Sequence, residues 1–354
     1  MPRDALVDLI LSHFTPRYVA TGVDPHDLAR LAARLERWED WCREWSAEAA
    51  RHEQLAEEAR ARGREVTATE ASLRAAIYYH YAKHLFADHP DEYRQAHERM
   101  LACYGAAAAG SSPPMERVEV PFEGGVLPGW LRRPVGAARS PVAILLPGLD
   151  ACKEELHAWS NAFVRRGVAS FTLDGPGQGE TAFWQPIRPD WETVIGPVID
   201  AFEQRTDVDA GRVAVVGQSL GAYYAPRAAA FEPRIKACVA NCGPFDFSLA
   251  LPEMPACSRA TFRVRSGAAD DAEALERARQ LSLEGVAQRI RCPLLIVFGA
   301  GDRIIPPSEG ERLARAAVGP TELVVYEDGN HVCFNISYKF RPLTADWVAE
   351  QLAL

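Results

Sequence analysis

The chain has 354 residues, enough for two domains or for one large domain with an appended module. Hydrophobic residues make up 48% and charged residues 25%, the balance of a globular protein, which excludes disorder as the main story. The formal net charge of −9 argues against nucleic acid or an anionic membrane surface as a partner, since both would repel it, and leaves a small substrate open.

The stretch "MPRDALVDLILSHFTPRY" carries a short apolar patch interrupted by Asp8 and His13, so neither a signal peptide nor a membrane span is expected. Eight cysteines are scattered without a C-x-x-C pair, which argues for reduced thiols and a cytoplasmic protein. Cys333, two residues after a histidine, reads as a small buried side chain.

Residues 1–112 read as an all-helical module. In "ARLAARLERWEDWCREWSAEAARHEQLAEEARARG" the tryptophans Trp38, Trp41 and Trp45 recur at spacings of three and four, which places them on one packing face of a helix that Gly63 ends. "TATEASLRAAIYYHYAKHLF" begins the next helix, with Thr67 or Thr69 as its cap, and Asp88 and Pro90 mark the break before another. His80 and His84 lie four apart but have no third ligand nearby, so no metal is expected.

"GSSPPMERV" is a linker by composition, and beyond it the hydrophobic period changes from that of a helix to that of a strand. "RVEVPFEGGVLPGWLRRP" reads as a β-hairpin about Gly124 and Gly125. The apolar runs "VAILLPG", "VASFTLD", "VAVVGQS", "ACVANCG", "PLLIVFGAGD" and "ELVVYEDG" then alternate with helical stretches. Strands without polar alternation are covered on both faces, so residues 113–354 are expected to form a mostly parallel, doubly wound α/β sheet.

In such a sheet, reactive groups collect at the carboxyl ends of the strands. "GQSLG" (Gly217 to Gly221) fits G-x-S-x-G and follows a strand and opens a helix, the context of a nucleophile elbow, with Ser219 the nucleophile. A serine hydroxyl needs a base and the base an orienting carboxylate. Asp302, just past one strand, and His331, just past the next, supply them in the chain order this fold uses. Asp328 is the alternative acid, but it lies on the approach to the histidine's own loop. The oxyanion of the tetrahedral intermediate needs two N–H donors: Leu220 after the nucleophile, and Leu149, or Asp150 beside it, in "LLPGLDACKEE". "DGPGQGE" is glycine-rich, but its spacing is not that of a dinucleotide site, and no cofactor is expected.

With Ser219, Asp302 and His331 in that order, the chain resembles the serine-dependent α/β-hydrolases. More narrowly, it is similar to the FrsA-like, 2,6-dihydroxypseudooxynicotine hydrolase-like group, which places a helical module ahead of the hydrolase core and includes fungal polyketide-shortening enzymes. The resemblance is carried by "AAIYYHYAKHLF", "PPMERVEVPFEGGVLPGWLRRP", "LLPGLDACKEE", "LDGPGQGE", "GQSLGAYYAPRAA" and "DGNHVCFN". It implies hydrolysis of a carbon–carbon bond in an acyl-phenol, β-diketone or polyketide-like small molecule, or of an ester, and it suggests a homodimer. On this reading the helical module is a cap supplying an aromatic wall to the substrate. Tyr78, Tyr79, Tyr81 and Tyr223, with Asp246 and Glu253 of "GPFDFSLALPEMP", are the candidate substrate contacts. An acyltransferase or cyclase on the same scaffold, and a ligand-binding protein without catalysis, are the competing classes.

Overall fold

A computed structural model describes residues 3–353, and the chain divides into two compact units between Glu116 and Arg117. The division falls inside the first strand, Met115–Phe122, within the stretch "GSSPPMERV". The first unit is helical: α1 (Ala5–Thr21), α2 (Pro25–Arg34), α3 (Trp41–Ala61), α4 (Glu65–Ala82) and α5 (Pro90–Ala107). Its core is aromatic. Trp41 and Trp45 of α3 pack at ring-centroid distances of 6.5 and 5.2 Å from Tyr18 of α1, and Tyr18 meets Tyr81 of α4 edge-on at 4.4 Å. Trp38 sits in a 3-10 turn just ahead of α3, 5.0 Å from Trp41, so the tryptophan stripe spans two elements. Helix α4 opens at Glu65 without a side-chain cap, so both threonines expected as its cap, Thr67 and Thr69, lie within it.

Among the described residues of the second unit, eight strands form one sheet in the order β1-β2-β4-β3-β5-β6-β7-β8. These are β1 (Met115–Phe122), β2 (Gly125–Arg132), β3 (Ser140–Leu146), β4 (Ala169–Leu173), β5 (Val208–Gln218), β6 (Ile235–Asn241), β7 (Leu294–Gly299) and β8 (Thr321–Tyr326). Strand β2 runs antiparallel to β4, and the pairs from β4 to β8 are parallel. The connecting helices are α6 (His157–Val164), α7 (Glu192–Glu203), α8 (Gly221–Phe231), α9 (Phe247–Ala250), α10 (Ala256–Ser266), α11 (Asp271–Arg279) and α12 (Pro307–Ala316), with α13 (Ser337–Ala353) last. Strands β4 and β7 are buried along their whole length and β3, β5 and β6 over most of theirs, as expected where helices cover both faces, while the two edge strands β1 and β8 alternate with solvent. No helix among the described residues is long and apolar enough to cross a membrane.

The loops after β3 and β4 are tied together by a buried charge cluster. Lys153 is fully buried, and its ammonium donates to Asp174 Oδ2 at 2.8 Å, Glu180 Oε1 at 2.6 Å and Glu154 Oε1 at 2.8 Å. Its backbone N–H reaches Asp174 Oδ1 at 2.8 Å. Arg117 closes the cluster from β1 with a two-point contact to Glu180 at 2.9 and 2.8 Å. Burial alone would lower the lysine's affinity for its proton, but three facing carboxylates hold the group well above the ordinary lysine range. Burial would likewise raise Glu180; the bonds from Arg117 and Lys153 outweigh it and hold that carboxyl down at about 2.

Replacing Lys153 with Met leaves buried carboxylates uncompensated and should destabilise the second unit by about 3–5 kcal/mol, measured by urea unfolding. Because the Glu180 carboxyl titrates below its ordinary value of 4.5, its contribution to stability is complete above that pH and drains away as pH falls toward 2. Glu180→Gln should therefore show a shallower loss of stability than wild type across that acid range. In the helical unit, Tyr78→Phe should cost about 1–3 kcal/mol, seen as faster amide exchange at Asp24, because the Tyr78 hydroxyl accepts from the Asp24 N–H at 3.0 Å and donates to Asp27.

Candidate active site

Strand β5 ends on Gln218, and the chain turns so sharply into α8 that Ser219 adopts φ 53, in the left-handed region. The turn is possible because its neighbours are glycines. A Cβ on Gly217 would lie 1.9 Å from the Gly221 carbonyl oxygen, and one on Gly221 would lie 2.2 Å from that of Leu146. The Ser219 N–H is anchored to the Asn241 carbonyl at 2.9 Å, which pins the elbow to the end of β6.

His331 follows β8 and Asp302 follows β7, and the structure brings both to Ser219. His331 Nε2 lies 2.9 Å from Ser219 Oγ, and His331 Nδ1 lies 2.7 Å from Asp302 Oδ2. The carboxylate can only accept, so the network assigns the ring proton to Nδ1 and leaves Nε2 free to accept from the serine hydroxyl. Asp302 is itself held: Oδ1 accepts from the N–H groups of Ile304 at 2.8 Å and Ile305 at 2.9 Å, and its side chain is wholly buried. Asp328, the alternative acid, points away and pairs with Lys339 at 2.9 Å.

The histidine loop is strained. Val332 (φ 60) and Cys333 (φ 57) both sit in the left-handed region, at a cost of about 1–3 kcal/mol each. Two bonds hold them there: Asn241 Nδ2 donates to the Val332 carbonyl at 3.3 Å, and the Cys333 N–H to that of Asn330 at 2.8 Å. Asn241 thus supports the elbow through its backbone and the histidine loop through its side chain. Sequence reasoning passed over it; a polar residue at the carboxyl end of a buried strand was the available signal. Cys242, also left-handed at φ 53, lies in the same corner, with the donor atoms of Cys242, Asp302 and His331 within 4.8 Å of one another. Burial pushes the Cys242 thiol well up, and both Asp302 oxygens are already committed, so the group is built around a hydrogen bond rather than an ion.

The turn after β3 forms the opposing wall. A Cβ on Gly148 would come within 3.0 Å of Ser219 Cβ and 3.4 Å of its Oγ. Among the described residues, neither the Leu149 nor the Leu220 N–H meets an acceptor, so both amides expected for the oxyanion are free beside the serine.

The hydroxyls and carboxylates expected as substrate contacts all have defined places in the structure. Tyr78 donates to Asp27 at 2.7 Å, Tyr79 to Glu53 at 2.8 Å, and Tyr81 shares a 2.6 Å hydrogen bond with Thr21, all inside the helical unit. Tyr223 donates to the Pro189 carbonyl at 3.0 Å. These hydroxyls are internal anchors, since a buried phenol needs a partner and each has one. Asp246 caps α9, accepting from Ser248, and its own N–H is held with that of Phe245 by Glu309. Glu253 is exposed on the 3-10 turn after α9. His84 Nε2 accepts from the Arg17 guanidinium at 3.1 Å.

This geometry has relatives. The model of the FrsA-like family, described as esterase FrsA-like, matches residues 33–353. The 2,6-dihydropseudooxynicotine hydrolase of Paenarthrobacter nicotinovorans is 32% identical over 343 residues, covering 95% of this chain and 91% of that one. The crystal structure of a 2,6-dihydroxy-pseudo-oxynicotine hydrolase superposes with a TM-score of 0.87 at 31% identity, over 95% of each chain. The alpha/beta hydrolase ucsC of an Acremonium species is 35% identical over 262 residues, which are 66% of this chain and 53% of that one; the chain spans about half the length of this fungal relative. With the parallel sheet, the elbow and these matches together, the chain belongs to the FrsA-like esterase family of α/β-hydrolases.

Proposed function

We propose that the protein is a serine hydrolase that cleaves an acyl bond through a covalent acyl-enzyme, with Ser219 as nucleophile, His331 as base and acid, and Asp302 as the group that orients the imidazole. The observation that carries this reading is the unbroken chain of hydrogen bonds from Ser219 Oγ through His331 to Asp302. Ser219 Oγ attacks the acyl carbonyl as its proton passes to His331 Nε2. The Leu149 and Leu220 amides receive the oxyanion. Collapse breaks the bond to the leaving group, which takes the proton from His331, and leaves the acyl ester on Ser219. Water, deprotonated by His331, then releases the acid and restores the serine.

The substrate class is a small molecule bearing an acyl group on an electron-rich ring or on a β-dicarbonyl carbon. The similarity over nearly the whole chain to a 2,6-dihydropseudooxynicotine hydrolase supports it. Carbon is a poor leaving atom unless it is protonated as it departs, so the same His331 that accepts the serine proton must deliver it to that carbon. A substrate able to tautomerise to the ketone makes the step accessible. The eight cysteines are all free thiols, which supports a reducing compartment as its place of action.

Wild type should be labelled at Ser219 by a fluorophosphonate, and Ser219→Ala should not. Asp302→Asn should lower kcat by about ten-thousandfold while the protein remains folded, because the wrong ring tautomer then faces the serine. A mass-spectrometric screen of acyl-phenols, β-diketones and esters in isotopically labelled water should place the label in the released acid. Turnover without label in the acid would mean transfer to another nucleophile, and unlabelled wild-type Ser219 would refute the mechanism.

A further inference from the structure

The glycine-rich loop after β4 carries a glutamine that the chemistry above does not use. Gln178 is buried, with about 1% of its surface exposed, and its carboxamide is fully committed. Its Oε1 accepts from the Gly175 N–H at 3.1 Å; its Nε2 donates to the Pro147 carbonyl at 2.5 Å and more weakly to the Gly148 carbonyl at 3.4 Å. A donor on one side and two carbonyls on the other leave the amide a single orientation. The glutamine's own backbone is fixed as well, its N–H bonded to the Gly175 carbonyl at 2.9 Å and its carbonyl to the Ala182 N–H at 3.0 Å.

The Gly148 carbonyl and the Leu149 N–H belong to one planar trans peptide, so they point in opposite directions. Holding the carbonyl therefore aims the amide. The next peptide is held in the same way, because the Arg265 guanidinium donates to the Leu149 carbonyl. Gly148 itself lies against Ser219, so the freed Leu149 N–H is presented beside the nucleophile.

From this geometry we infer that Gln178 is a positioning residue for the oxyanion hole: its carboxamide locks the 147–149 turn so that the Leu149 amide faces the oxyanion that forms on Ser219 attack. The inference rests on Ser219 acting as the nucleophile. It separates two jobs within one loop region: Lys153 and Asp174 hold the two loops together, while Gln178 sets the direction of one peptide. A loose amide still permits substrate to bind. What it loses is the part of the stabilisation that exists only when negative charge develops.

Gln178→Met keeps length and removes both donors. It should lower kcat for a p-nitrophenyl ester by roughly tenfold to a hundredfold with KM within about twofold of wild type. A trifluoromethyl ketone, which forms an oxyanion adduct with the serine, should lose affinity by the same factor, and the matching methyl ketone should bind unchanged. In Gln178→Glu the carboxylate faces two carbonyls and cannot donate, so activity relative to wild type should be low at neutral pH and should recover as pH falls and the carboxyl protonates. Wild-type affinity of Gln178→Met for the trifluoromethyl ketone, or equal weakening of both ketones, would overturn the assignment. If Gln178→Met fails to fold, Gln178→Glu decides alone, and absence of recovery in acid counts against it. Failure of a fluorophosphonate to label wild type is a different result, since it removes the nucleophile itself.

Discussion

The hydrogen-bond chain from Ser219 through His331 to Asp302 is the constraint that the rest of the second unit serves. It requires three side chains from the ends of β5, β7 and β8 to meet within hydrogen-bond reach, and parallel strands deliver this because all of them end at the same rim of the sheet. Each group then needs local strain or a local bond to leave its strand in the right direction. Ser219 turns through the left-handed region, Val332 and Cys333 do the same after the histidine, and Asp302 is held by two amides. Asn241, at the end of the strand between β5 and β7, supports the first two of these distortions at once.

The opposite wall is built by different physics. The loops after β3 and β4 carry no regular hydrogen-bond ladder, and the ammonium of Lys153 joins them from within a nest of carboxylates. A buried cation surrounded by acids contributes little net stability against an apolar core of the same shape, but removing one member is costly. Such a cluster fixes a geometry, and here it holds the loop that carries the turn against Ser219.

Much of the site was legible in the sequence because its signals are local or ordered along the chain. The G-x-S-x-G pentapeptide between an apolar run and a helix describes its own conformation, since only glycine fits at positions 217 and 221. Asp302 and His331 follow strands of recognisable length, and His331 has no competing histidine in the second unit other than His157. The tyrosines of "AAIYYHYAKHLF" were a different matter. Helical spacing shows that residues recur on a face, not what each hydroxyl meets, and Asp27, Glu53 and Thr21 are distant in the chain. Helix α13 does not stand out because Pro342 interrupts its pattern, and the short α9 within "GPFDFSLALPEMP" is too brief to have a period.

By itself the sequence determined the class of sheet, the helical module before it, and which serine, aspartate and histidine would meet at its rim, because periodicity, turn chemistry and chain order are properties of contiguous residues. Only the tertiary structure decided which polar groups hold that machinery in place. Asn241, Gln178, Lys153 and Arg265 act through carbonyls and carboxylates far from them along the chain, and a contact of that kind has no periodic signature: it exists once the backbone has been folded to bring the two groups together.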